Sequence, residues 1–435
     1  MVEDTIALLI QGRYPDPDTD GFIGVPIRSI VIENSLAGHE ADLVKEAGLS
    51  GRLAVVSDPN TRTAMGDRVA RALSAAGTVV PVELGDHPHP DGDTVSALET
   101  QTMGCDALVA VGSGTINDLC KFVAARTDKP YAVFATAPSM NGYTSANAAI
   151  TVEGHKKSFP ASTPTGVFID LSVFSSAPAR MIRSGLGDSC CRSTAQIDWL
   201  LSHHLFGTPY RLAPFALLAQ DEPGLLGEPD ALMRGDLPAM RRLARTLVLS
   251  GLGMTICGGS YPASQGEHLI SHYIDMMAPN DRPEIFHGEQ IAVTTLTMAR
   301  LQESFLSSER PPRVRPTETR REDLIEHFGH DVGHACWLEF RQKILMSDQV
   351  DGLNAGLAEA WNTFVTHCES IAVSSHRLEA VLSAAGAPTG PESIGVDNDF
   401  YTAAVQHARE LRNRYTFLDL AADAGELDRR ISIQR

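Results

Sequence analysis

The sequence predicts an α/β protein in two parts: a wound, mainly parallel sheet over residues 1–184, followed by an all-helical region over residues 185–435. Three observations predict it. Short apolar runs rich in β-branched residues alternate with helical patterns through the first part, and strand-like runs stop after about Arg180. The length of 435 residues also exceeds what a single hydrophobic core usually serves.

Taken in order, the runs 29–32, 53–57, 79–84, 107–111, 131–135 and 167–169 read as strands. Segments between them, such as 64–76, carry alanine, leucine, valine and methionine at helical spacing and suit crossover helices. Beyond Arg180 the segments 188–202, 238–254, 263–277, 288–305 and 353–373 read as long helices. Gly185-Leu186-Gly187 reads as a stop between the two parts, with Asp188 opening the next helix as an N-terminal acid. The Pro- and charge-rich stretches 222–235 and 309–322 read as surface loops.

A formal charge of −18 repels phosphate backbones and anionic membranes, so neither a nucleic-acid partner nor membrane insertion is expected. The first residues carry acids where a secretory leader carries bases, and no run reaches the roughly 18 apolar residues of a membrane span. A cytoplasmic location follows as an expectation. Seven cysteines without CxxC spacing read as reduced, mostly buried thiols, with the vicinal pair Cys190-Cys191 inside a helix.

The segment 107–118 is an apolar strand entering a small-residue turn and then the helix that carries Lys121. Glycines there let the backbone approach a pyrophosphate, and the unpaired amides of a helix start face its charge. A Gly-x-Gly without the third glycine fits an ordinary tight turn equally well. Asp58, after the strand 53–57, suits either a ribose hydroxyl or the turn before Pro59.

Asp188, Glu267-His268, His272 and His287 supply the carboxylate and imidazoles that a borderline divalent cation accepts. His268 and His272, four apart, share a helix face, which admits either joint ligation or one ligand beside a neighbour. The glutamate precedes the first histidine, so this is not an HExxH motif.

Together, Gly112-Ser-Gly-Thr-Ile-Asn-Asp118, Thr136-Ala-Pro-Ser-Met-Asn-Gly142, Gly187-Asp188 with Asp198-Trp199, Pro262-Ala-Ser through Glu267-His268-x-x-x-His272, and His287-Gly288 resemble the glycerol-1-phosphate dehydrogenase family. The matches run in family order over roughly residues 50–300, and Arg412 to Leu420 is similar to the family's C-terminal segment. The resemblance implies a dehydroquinate synthase-like fold: a Rossmann-like domain for NAD or NADP, then a helical metal-binding domain. It implies Asp188, His268 and His287 as ligands of zinc, nickel or iron, with His272 in the neighbouring pocket position. It further implies Gly112, Ser113, Gly114, Thr115, Asn117, Asp118, Thr136 and Ser139 around the dinucleotide, and Asp58 at its ribose. Asn141 stands where many relatives carry an aspartate, close to where substrate hydroxyls belong. Lys156, Lys157 and Arg192 suit either a substrate phosphate or a solvated surface.

The implied reaction is hydride transfer between nicotinamide and a small (phospho)polyol or ketone such as dihydroxyacetone phosphate. A bound metal acts there as Lewis acid, and His272 serves as proton relay or orienting group. A homo-oligomer with a small-molecule substrate is expected. The alternatives are an unphosphorylated polyol or alcohol dehydrogenase, a dehydroquinate synthase-like lyase and a catalytically silent ligand-binding homologue.

Overall fold

The computed structural model describes residues 4–152, 155–279 and 285–432. Apart from the two-residue strands Tyr14–Pro15 and Phe22–Ile23, which pair with each other, its strands are β1 (Ser29–Glu33), β2 (Arg52–Ser57), β3 (Thr78–Glu83), β4 (Ala107–Gly112), β5 (Tyr131–Ala135), the hairpin of β6 (Asn147–Val152) with β7 (His155–Pro160), and β8 (Gly166–Asp170). Six form one all-parallel sheet in the order β1-β8-β5-β4-β2-β3. Every residue of the central strands β4, β5 and β8 is buried. Such unbroken apolar runs are what a parallel sheet covered on both faces requires.

The helices that matter for the site are α1 (Glu40–Glu46), α2 (Asp67–Ser74), α3 (Gly92–Gln101), α4 (Gly114–Thr127), α5 (Ala179–Cys190), α6 (Arg192–Phe206), α7 (Leu237–Cys257), α8 (Gly266–Met277), α9 (His287–Leu306), α10 (Ser347–Ile371) and α11 (Phe417–Asp423). No strand follows Asp170 among the described residues. Among them, too, no helix is long and apolar enough to cross a membrane.

The chain divides into two compact units, but not at one point. Unit 1 comprises residues 1–189 and 211–260, and unit 2 comprises residues 190–210 and 261–435. The sequence boundary at 184/185 therefore differs from the division by contacts, because α7 packs within unit 1. Its Gly251 explains the packing: a Cβ there would lie 2.5 Å from the Asn141 carbonyl oxygen and 2.2 Å from Thr144 Oγ1. Thr144 Oγ1 in turn donates to the Val248 carbonyl. The core of unit 1 joins β2, β4, β5 and β8 to α1 and α2 through Leu53, Val55, Val109, Val111, Phe134 and Phe168. Unit 2 has its own helical core around Leu201, Ile270, Phe305, Trp361 and Phe417.

Three local expectations are corrected. Gly185 and Gly187 do not stop a helix: both lie inside α5, and Asp188 is near its end rather than opening the next helix. The reason is steric, since a Cβ on Gly185 would sit 1.7 Å from the Pro138 carbonyl oxygen. The stretch 222–235 is not a plain loop but holds the short helices Glu222–Gly227 and Pro229–Met233, whose prolines occupy the first turn, where a missing N–H costs nothing. Cys190 ends α5 and Cys191 lies at the junction with α6, so the vicinal pair straddles a helix break.

Candidate active site

In unit 1, β4 delivers Gly112 and the chain turns through Ser113 into α4. A Cβ on Gly112 would lie 2.5 Å from the Ile116 side chain, so only glycine lets the helix begin this close to the strand. Ser113 is the N-cap with extended backbone, yet its hydroxyl makes no capping bond. The first amides of α4 thus keep their donors for an anion. Asn117 is fully buried: its Nδ2 donates to Asp118 Oδ1 at 3.1 Å, while its Oδ1 has no partner among the described residues. A buried acceptor in that condition costs about 1–3 kcal/mol unless a ligand supplies the donor.

Asp118 faces the protein rather than the loop, accepting from the Ala149 amide at 3.1 Å on β6. Beside it Lys121 is wholly buried, and its Nζ donates to the carbonyls of Gly142 at 2.6 Å and Asn147 at 3.0 Å and to Ser145 Oγ at 3.3 Å. Burial pulls the Lys121 ammonium below its ordinary value, and Asp118 opposes that. Sequence reading gave Lys121 no role. Its signal was a cation set among Leu119, Cys120, Phe122 and Val123, which has to find partners if that stretch is buried.

The loop after β5 is tied to the phosphate turn, for the Thr136 amide donates to the Gly112 carbonyl at 3.1 Å. Thr136 and Ser139 are buried, and the Ser139 carbonyl accepts from Ser184 Oγ on α5 at 2.9 Å. Asn141 uses its backbone amide to hold Asp188 Oδ2 at 2.8 Å and its Nδ2 to reach Ser250 Oγ on α7 at 3.2 Å. Asp188 is itself buried. Asp58 caps the turn Pro59–Thr61, taking the Thr61 amide at 2.8 Å. Lys156 and Lys157 belong to β7 by backbone, but their side chains lie outside the described residues.

In unit 2, α8 and α9 bring His268 and His287 together with ring centroids 5.1 Å apart, and His272 lies 6.2 Å from His268. The buried Glu267 carboxylate takes the Gln265 amide at 2.8 Å and His268 Nδ1 at 2.9 Å through the same oxygen. An ionised carboxylate only accepts, so the His268 proton sits on Nδ1 and the Nε2 lone pair is the one offered for ligation. The start of α8 is fixed by Asp198, which is fully buried and accepts from the amides of Gly266 and Phe417 at 3.0 Å each and from Gln302 Nε2 at 3.1 Å. Burial, and then the nearby Glu267, push the Asp198 carboxyl up to about 8. Arg192 is engaged by Gln196 Oε1 at 2.9 Å and the Ile371 carbonyl at 3.2 Å.

The chain is 32% identical to a glycerol-1-phosphate dehydrogenase [NAD(P)+] of Thermococcus kodakarensis over 67% of its own length and 81% of that protein. It is 31% identical to one from Bacillus licheniformis, over 65% of this chain and 72% of the relative. The chain belongs to the glycerol-1-phosphate dehydrogenase family.

A Bacillus subtilis member of the glycerol-1-phosphate dehydrogenase family is 28% identical over 91% of both chains, so the likeness extends through the helical region. Residues 31–178 also match the iron-containing alcohol dehydrogenase family, and the protein is an NAD(P)-linked, metal-dependent oxidoreductase of that class. Solved structures share the fold: a probable glycerol dehydrogenase from Sinorhizobium meliloti at a TM-score of 0.61 and 17% identity, covering 94% of this chain and 98% of that one, and glycerol dehydrogenase from Schizosaccharomyces pombe at 0.62 and 17%, covering 94% and 90%. The residues present fit the metal this family requires, since two converging imidazoles, one with its tautomer set by a buried carboxylate, are a donor set for zinc, nickel or iron.

Proposed function

We propose that this chain interconverts a small ketone and its alcohol by hydride exchange with bound NAD(P)(H), with reduction of dihydroxyacetone phosphate to glycerol 1-phosphate as the leading case. The observation that carries the reading is the convergence of His268 and His287, with the His268 ring oriented by Glu267. In this reading Asp188, His268 and His287 hold the divalent cation, and Asp188 lies two residues before the chain passes from unit 1 to unit 2. The metal, when bound, supplies Lewis acidity toward the substrate oxygen.

The chain's own residues do the rest. Gly112, Ser113, Gly114 and Thr115 present backbone donors to the dinucleotide phosphates, and Asn117 offers its buried Oδ1 to a donor on the cofactor. Thr136 and Ser139 flank the same turn, and Asp58 remains the candidate for the ribose. Asn141, steadied by Ser250, hydrogen-bonds a substrate hydroxyl with a neutral amide. His272 moves or orients the proton of the reacting oxygen. Lys156 and Lys157 meet the substrate phosphate; Arg192, already bonded to Gln196 and Ile371, is the weakest of the three cations proposed for it. A homo-oligomer acting in the cytoplasm completes the proposal.

The test is NAD(P)H oxidation with dihydroxyacetone phosphate and with dihydroxyacetone, alongside metal content, for Asp188→Ala, His268→Ala and His287→Ala. Loss of both metal and turnover supports the ligand set. Unchanged metal and turnover in all three variants would discard it, and preference for the unphosphorylated ketone would discard the substrate.

A further inference from the structure

Cys191, Glu267 and His268 bring a thiol sulfur, a carboxylate oxygen and an imidazole nitrogen within 4.8 Å of one another inside unit 2. The three residues are buried, at 2%, 0% and 6% exposure. The sulfur arrives from the α5–α6 junction and the other two donors from the first turn of α8. Fixed elements therefore hold the cluster, and no mobile tail is involved. The Cys191 thiol points at the Ala263 carbonyl, 3.7 Å away. Hydride transfer between a ketone and a nicotinamide uses no thiol, so nothing in the proposed reaction accounts for a cysteine here.

We propose that Cys191, Glu267 and His268 form a second metal position, selective for thiophilic divalent cations such as cadmium or excess zinc. A thiolate, an imidazole and a carboxylate suit soft to borderline cations, whereas magnesium prefers an all-oxygen shell. The incoming cation forms a bond to Cys191 Sγ as the thiol proton passes to solvent, and a bond to His268 Nδ1 as the ring proton moves from Nδ1 to Nε2, so one proton is released in all and the imidazole stays neutral. Glu267 then turns the oxygen that held Nδ1 toward the cation. Occupancy undoes the arrangement that points His268 Nε2 outward, so the site is inhibitory. That inhibitory consequence rests on His268 being a catalytic ligand, whereas the binding does not.

The experiment titrates cadmium into the metal-loaded full-length enzyme and follows the ultraviolet cadmium–thiolate charge-transfer band, retained cadmium and turnover together. The native protein should develop the band with cadmium, and magnesium should not produce it. The band and the retained cadmium should be lost in Cys191→Ser and kept in Cys190→Ser and Cys257→Ser. Cys191→Ala, checked by circular dichroism, covers failure of the serine variant to fold. Absence of the band in the native protein, or its persistence in both Cys191 variants, overturns the proposal. A band lost with Cys191 while native turnover ignores cadmium upholds the site and removes His268 from the catalytic set instead.

Discussion

Glu267 is not among the ligands proposed for the hydride-transfer metal, yet its carboxylate decides which nitrogen of the proposed ligand His268 carries the proton. Glu267→Gln keeps the shape and removes the charge, and metal affinity measured by chelator competition should fall roughly 10–100-fold. Retention of native affinity would mean that Gln265 alone needs that oxygen. Gly112→Ala tests the other half of the chemistry. Its new Cβ would meet Ile116 at 2.5 Å, and strain of this kind costs about 1–3 kcal/mol. The start of α4 has to shift, so NAD(P)H titration by fluorescence should show weakened binding beyond any loss of melting temperature.

At the level of elements, Lys121 is the post on which the loop 142–147 and the β6–β7 hairpin hang. Lys121→Met fills the same space but leaves buried carbonyls without a donor, each at a cost of about 1–3 kcal/mol. Hydrogen exchange should then quicken in 142–152 while β2 stays protected. A second element-level effect depends on pH. In unit 2 the rings of His327 and His407 stack at 3.7 Å, with Tyr273 Oη 2.8 Å from His327 Nε2 and Glu410 Oε2 3.1 Å from His407 Nδ1. Burial and then His407 hold His327 below its ordinary 6.5. The folded protein therefore binds fewer protons than the unfolded chain: this contribution is complete above pH 6.5 and is lost as pH falls through the lowered folded value. Melting curves from pH 7 down to about 5 should drop less steeply for His327→Gln than for the native protein.

The six sheet strands were legible because a parallel sheet buried on both faces leaves continuous apolar runs, as in Ala107–Gly112. The β6–β7 hairpin was not: its second strand reads His-Lys-Lys-Ser-Phe-Pro, and its place comes from Asp118 and Lys121 on a distant helix. Gly185 misled for a related reason. Locally a glycine argues for a helix end, but its purpose is the approach of Pro138, which only the folded chain reveals. The residues proposed as ligands can be picked out along the chain by type and order, while the contacts of Glu267, Asp198 and Ser250 depend on partners that spacing does not specify.

For the whole molecule, the division at 189/190, 210/211 and 260/261 means that neither unit is a continuous stretch. A fragment cut at residue 184 lacks α5 beyond Ser184 and all of α7, uncovering the face around Thr144 that packs on Val248, Gly251 and Thr255. It should bind a hydrophobic dye and resist crystallisation of its fold into a cooperative thermal transition; a sharp melt from residues 1–184 alone would contradict the assignment of α7 to unit 1. Synthesis proceeds from one end, and that imposes a wait. Asp198 meets the Phe417 amide 219 positions further on. At cellular translation rates this interval lasts roughly ten to forty-five seconds. For that time α6 stands outside the ribosome with a buried-to-be carboxylate whose last partner has not been made, so the packing of this helix waits for the end of synthesis.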